Sequence, residues 1–199
     1  MQIQPLYLTV GKLLAGRLFK IPEYQRAYTW GNKQRNDLFR DIRNVRAAGS
    51  DSMHFMATIV GLRRKTKRRV ASDEFDEIEI VDGQQRLTTL TVLLKALAKA
   101  MRRGNLRDAD EIDSLLVKGD DLALLILQTN HDLTHIFIDY LREGAVPDGK
   151  TLLTSADKNI VDAIKECEEF VRTWSDKGKK GLIELYSIIK NRLSIISLK

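Results

Sequence analysis

The sequence predicts an α+β domain followed by a helical extension, on three observations. Segments of β-branched and aromatic character, "RLFKIP", "HFMATIVGL" and "DEIEIV", are interleaved with amphipathic helices over the first hundred residues. One helix stands out, because Leu87, Leu90, Leu94, Leu97 and Met101 recur at spacings of three and four, a buried stripe. Near residue 104 the pattern turns from mixed to predominantly helical, which gives two expected units, 1–104 and 105–199.

Taken in order, "YLTVGKLLAG" offers Thr9 as an N-cap and a short helix ending near Gly16. "RLFKIP" is a strand closed by Pro22, which cannot donate to a ladder. After "EYQRAYTW", Asn32 is expected to cap a helix with Leu38, Ile42 and Val45 on one face. "HFMATIVGL" and the alternating "DEIEIV" are expected to pair as a hairpin, with the intervening basic run and "ASDEF" as a long charged loop. The Leu87 helix starts directly after Gly83 and ends near Gly104. "LALLILQ", residues 122–128, fits a buried strand or a helical turn. Asn130 then caps a helix carrying Leu133, Ile136, Phe137, Tyr140 and Leu141. Two further helices carry Ile160, Ile164, Cys167, Val171 and Trp174, then Leu182, Leu185 and Ile189. The apolar, strand-like ending "RLSIISLK" points to a fragment of a longer chain.

The 199 residues, 43% hydrophobic and 30% charged, can bury a sizeable core. No apolar run approaches the roughly 18 residues of a membrane span, and no signal-peptide pattern opens the chain. A single cysteine, Cys167, excludes an internal disulfide framework, and a cytoplasmic location is expected. The net charge of +6 has one local concentration, "RRKTKRR" at residues 63–69. Without its six cations, Arg63, Arg64, Lys65, Lys67, Arg68 and Arg69, the remaining 27 basic residues equal the 27 acidic ones. These six are therefore the expected contact to DNA phosphates, unless they form a solvated tip that balances the acidic "SDEFDEIE" after them.

Two segments are dense in polar chemistry. "IVDGQQRLTTL", residues 80–90, sits at a strand-to-helix turn, where a helix N-terminus presents free N–H groups to an anion. Gly83 permits close approach of a phosphate, Arg86 adds a forked contact, Asp82 can hold a divalent cation, and Gln84 or Gln85 can orient a water. The same residues also suit a plain cap, with Asp82 as N-cap, Gly83 as turn residue and a polar first turn. "IPEYQRAYTW", residues 21–30, offers Tyr24, Gln25, Arg26, Tyr28 and Trp30, suited to base stacking and phosphate contact or to an aromatic lid on the core. Other motifs fail. "GKLLAGRL" has Arg17-Leu18 where a P-loop needs Lys and Ser or Thr. "HDLTH" spaces His131 and His135 one turn apart without a third ligand, and Cys167 lies in an apolar stripe.

"IPEYQRAYTW", "FMATIV" and "IVDGQQRLTTL", in that order and spacing, resemble the N-terminal domain of GmrSD-type modification-dependent restriction enzymes. The resemblance is most specific over residues 8–100. It implies a ParB/sulfiredoxin-like mixed sheet and a triphosphate site, with Mg²⁺ expected on the phosphates. Asp82, Gln84, Gln85 and Arg86 would serve turnover, with Tyr24, Gln25, Arg26, Tyr28 and Gly83 lining the same pocket. It also implies DNA as a partner and a nuclease domain or subunit, C-terminal to this segment. Two other readings stay open, a DNA-binding module without turnover and a ParB-like nuclease. The two dense segments are expected to follow parallel, adjacent strands, so that Arg26 and Arg86 face one crevice.

Overall fold

The computed structural model describes residues 5–49, 53–70, 73–118, 127–129, 135–146 and 154–198. Six strands form one mixed sheet in the order β1-β6-β3-β4-β2-β5: β1 Pro5–Thr9, β2 Arg17–Ile21, β3 His54–Val70, β4 Asp73–Asp82, β5 Leu127–Thr129 and β6 Leu193–Leu198. The helices are α1 Val10–Leu14, α2 Asn32–Ala47, α3 Gln84–Arg103, α4 Asp108–Leu116, α5 Ile136–Glu143, α6 Ser155–Ser175 and α7 Gly178–Ser187. A π-helical turn, Ile188–Arg192, joins α7 to β6. The fold class is α+β.

Alternation decides which side of the sheet is buried. Phe19 and Ile21 of β2, Ile59 of β3, Ile78 and Ile80 of β4 and Ile195 of β6 all enter one core with the helices. Lys20 and Glu79, side by side in the β2–β4 register, belong to the other face. The stripe on α3 is fully buried, and this helix packs against α4, α5, α6 and α7, so it is the core's axis. Leu87→Ala or Leu94→Ala would each cost about 2–5 kcal/mol for the cavity left behind.

Several expectations hold and others need correction. Thr9 does cap α1, its Oγ1 accepting from the Lys12 N–H at 3.3 Å. The Arg17 guanidinium, where a P-loop would carry lysine, donates instead to the Leu13 and Ala15 carbonyls at the C-terminal end of α1. The cap of α2 is Gly31 rather than Asn32, because the Gln34 Oε1 reaches back to the Gly31 N–H. Helix α5 begins at Ile136, with His135 at its cap in left-handed backbone. Asn130, His131 and Leu133 lie outside the described residues, as do residues 122–126; residues 127–129 form a strand parallel to β2. The ending at 193–198 is a strand as expected, inserted between β1 and β3.

The largest correction concerns the basic run. Residues 63–69 do not form a loop; they are the second half of β3, paired with β4. Opposite charges across a strand pair stabilise the pairing, and β4 supplies them. Arg63 meets Asp76 at 2.6 Å, Arg64 meets Glu79 at 2.8 Å, and Arg69 meets Glu74 at 2.6 Å. Lys67 also reaches Glu74, and Arg68 reaches Glu77. Partners five to fifteen residues further along the chain, facing the run across the hairpin, turned an apparent loop into a strand.

Candidate functional site

The site is set by topology. Strands β2 and β4 are adjacent and parallel, with Lys20 opposite Glu79, so their C-terminal ends open side by side. After β2, Pro22 ends the ladder and residues 22–31 run without regular structure. After β4, the chain turns at Gly83, whose φ of 89° is left-handed, straight into α3. A Cβ there would lie 3.0 Å from Ile59 Cγ1 and 3.1 Å from the Thr58 carbonyl oxygen, so both the turn and the close approach require glycine. Gly83→Ala is expected to lower stability by about 1–2 kcal/mol, read as a drop in Tm. An unchanged Tm would mean the turn relaxes freely.

The first turn of α3 holds residues 22–31 in place. Gln84 Nε2 donates to the Arg26 carbonyl at 3.0 Å. Gln85 Nε2 donates to the Ala27 carbonyl at 3.1 Å, and its Oε1 accepts from the Thr29 N–H at 2.8 Å and the Trp30 N–H at 3.2 Å. Gln25 Nε2 reaches back to the Val81 carbonyl at 2.7 Å. Tyr28 is buried, with its hydroxyl 2.8 Å from Thr89 Oγ1. Asn159 of α6 donates to the Tyr28 carbonyl. A segment without a ladder of its own thus has its backbone groups satisfied by side chains.

The two segments converge on one pocket of about 190 Å³, lined on one side by Gln25, Arg26 and Trp30 and on the other by Asp82 to Arg86. Arg26 and Arg86 therefore share a crevice, as the argument from convergence expected. Thr58 of β3 closes the third side, a residue that sequence reasoning passed over as ordinary strand. Only the β3–β4 register, which puts Val60 opposite Asp82, brings Thr58 there. A smaller cavity of about 30 Å³, enough for a water, shares Arg26, Gln84 and Gln85 with the pocket, and Ile21, Tyr28, Phe137 and Asp157 also line it.

The pocket's groups differ in what remains available. Gln85 has both ends of its amide engaged, so it holds the wall and is not placed to orient a water. Gln84 keeps its Oε1 without a partner among the described residues. Tyr28 has its hydroxyl committed to Thr89 and its ring in the core, so it offers no open face for a base, whereas Tyr24 is 68% exposed. The Arg26 guanidinium and the Asp82 carboxylate carry no hydrogen bond or ion pair among the described residues. Arg86 is half-buried over the Trp30 ring, 5.5 Å from its centroid. Burial pushes its guanidinium below the ordinary value, against the opposing pull of Asp41 and Asp82. It stays charged, since arginine starts so far above neutrality. No side chain caps α3, so its first N–H groups also face this pocket's end of the helix.

Cys167 is fully buried, and burial pushes its thiol far up, away from reactivity. No group of three His, Cys, Asp or Glu among the described residues forms a metal cluster. No helix among the described residues is long and apolar enough to cross a membrane. The basic run is offset by its partner strand. Residues 54–82 hold six cations and six carboxylates, so the hairpin carries no net charge. Of the six cations, the side chain of Lys65 lies outside the described residues.

Fold and site together define an α+β domain with a polar, cationic pocket at the C-terminal ends of two parallel strands, above a helix N-terminus. The family description "GmrSD restriction endonuclease, N-terminal domain" matches residues 10–199, essentially the whole chain, and the chain belongs to that family. A search of curated proteins found no match.

Proposed function

We propose that this domain binds a nucleoside triphosphate with Mg²⁺ and hydrolyses it, as the cytoplasmic sensor of a restriction system that acts against foreign DNA such as phage. The nuclease activity would belong to a partner domain or subunit. The convergence of Arg26, Arg86, Asp82 and the uncapped α3 N-terminus on one pocket carries this reading.

The phosphates rest on the N–H groups that open after Gly83, where the helix dipole and two guanidiniums favour negative charge. At about 190 Å³ the pocket suits a phosphate chain better than a whole nucleotide, so the base lies outside it, against the exposed Tyr24 ring. Asp82 is the one carboxylate in the lining and would hold Mg²⁺, an ion that commonly takes one or two carboxylates and completes its shell with phosphate oxygens and water. When bound, Mg²⁺ neutralises charge on the phosphates. Arg86 adds fixed positive charge from a half-buried position, where it acts at reduced dielectric. Gln84 Oε1 is free to accept from an attacking water.

A thermal-shift panel of triphosphates with Mg²⁺ tests binding, with about 2.7 kcal/mol of stabilisation expected at 100 times Kd. Arg86→Ala should weaken that binding by roughly 1.5–3 kcal/mol while the fold survives, its stripe on α3 being untouched. Unchanged affinity in the folded variant would remove the assignment. Binding without phosphate release would favour a second reading, a module that grips a single backbone phosphate of DNA, to which the small pocket is also suited.

A further inference from the structure

We propose that the groove between α3, α6 and α7 is a docking surface for the sugar–phosphate backbone of DNA. Because the β3–β4 hairpin is neutral, the whole net charge of +6 lies outside it. Part of it collects on this groove, which is built from the C-terminal half of α3 together with α6 and α7. Five cations and two carboxylates line it, an excess of three positive charges.

The groove measures about 630 Å³. Its floor includes Ala96, Ala100 and Gly104, spaced four apart along one line of α3, and these small side chains give it depth. Lys99, Arg103, Lys165, Arg172 and Lys179 line it, against Glu168 and Glu169. Lys99 is bound to Glu168 and Arg172 to Glu169, so both carboxylates are already matched. Arg103, Lys165 and Lys179 are exposed and carry no hydrogen bond or ion pair among the described residues. The first turn of α7, which opens at Gly178 and Lys179, contains no acidic residue and no side-chain cap. Three spare cations from three helices around one concavity match a phosphate row, whose charges repeat along its length. The nucleotide pocket plays no part in this argument, so the two proposals stand or fall separately.

The test is fluorescence anisotropy of a fluorescein-labelled 20-base-pair duplex, titrated with the full chain without nucleotide across a salt series. In Arg103→Gln/Lys165→Gln/Lys179→Gln, affinity at low salt should fall about tenfold or more, and the slope of log K against log salt should shrink by about 2.7. Ala100→Glu, which puts one carboxylate on the floor, should also weaken binding. A control, Lys12→Gln/Lys20→Gln/Lys33→Gln, removes the same total charge from exposed sites outside the groove and should change affinity less than threefold. Matching Tm values establish that the variants are folded. The proposal is overturned if the wild-type chain does not bind the duplex, or if the control loses as much as the groove variant. It is equally overturned if the duplex fails to bind while poly-glutamate does, which would make this an interface for acidic protein segments.

Discussion

Gln85→Ala should lower stability by about 2–4 kcal/mol, because one buried side chain satisfies three backbone groups and alanine satisfies none. The Thr29 and Trp30 N–H groups and the Ala27 carbonyl would all lose their partner together. Alanine is the better helix former, so the loss would not come from α3 itself. For a chain of this length the effect is a Tm lower by about 5–15 °C. Gln85→Glu separates the contributions. It keeps an acceptor for the two N–H groups but turns a donor into an oxygen facing the Ala27 carbonyl. Its Tm should fall between those of the wild type and Gln85→Ala. An unchanged Tm in Gln85→Ala would show that the contacts of Gln84, Gln25, Tyr28, Arg35 and Asn159 hold residues 22–31 without it. Nucleotide binding should weaken too, since Arg26 and Trp30 belong to the wall that Gln85 positions.

This double duty explains why so many donors and acceptors crowd residues 82–86. Gln84 and Gln85 hold a wall, and Asp82, Arg86 and the helix N-terminus face what the wall encloses. The convergence was legible in the sequence, since polar groups this dense at two strand ends are satisfied only if they meet. The partners of the glutamines were not, because the groups they bond are backbone carbonyls and N–H groups, which look alike at every residue. The start of α3 was legible from Gly83 and the leucine stripe, and so was its end at Gly104. The strand character of residues 63–69 was hidden because it depends on Asp76, Glu74 and Glu79 across the hairpin, not on local propensity. Likewise, nothing within "RLSIISLK" specifies insertion between β1 and β3; that pairing spans nearly the whole chain.

Arg35→Ala should be about as damaging as Gln85→Ala, and its effect should depend on pH. Arg35 is 3% exposed and grips Glu166 with two parallel hydrogen bonds, Nε to Oε2 at 2.7 Å and Nη2 to Oε1 at 2.6 Å. Its Nη1 also donates to the Trp30 carbonyl, tying α2 and α6 to the wall of the pocket. Breaking a buried pair from one side costs about 3–5 kcal/mol; Glu166 is 26% exposed and can be partly hydrated, so the lower end applies. The hydrogen bonds from Arg35 hold the Glu166 carboxyl below its ordinary range, against the opposing effect of burial, and Asn32 adds to the lowering. A carboxylate depressed in the folded state contributes its stability above its unfolded pKa, about 4.3, and loses it as pH falls through the lower folded value. The Tm gap between wild type and Arg35→Ala should therefore be full at pH 7 and narrow below about pH 4. A gap that stays constant from pH 7 to pH 3 would assign the loss to the Trp30 carbonyl and to packing, and would leave the ion pair without a measurable role.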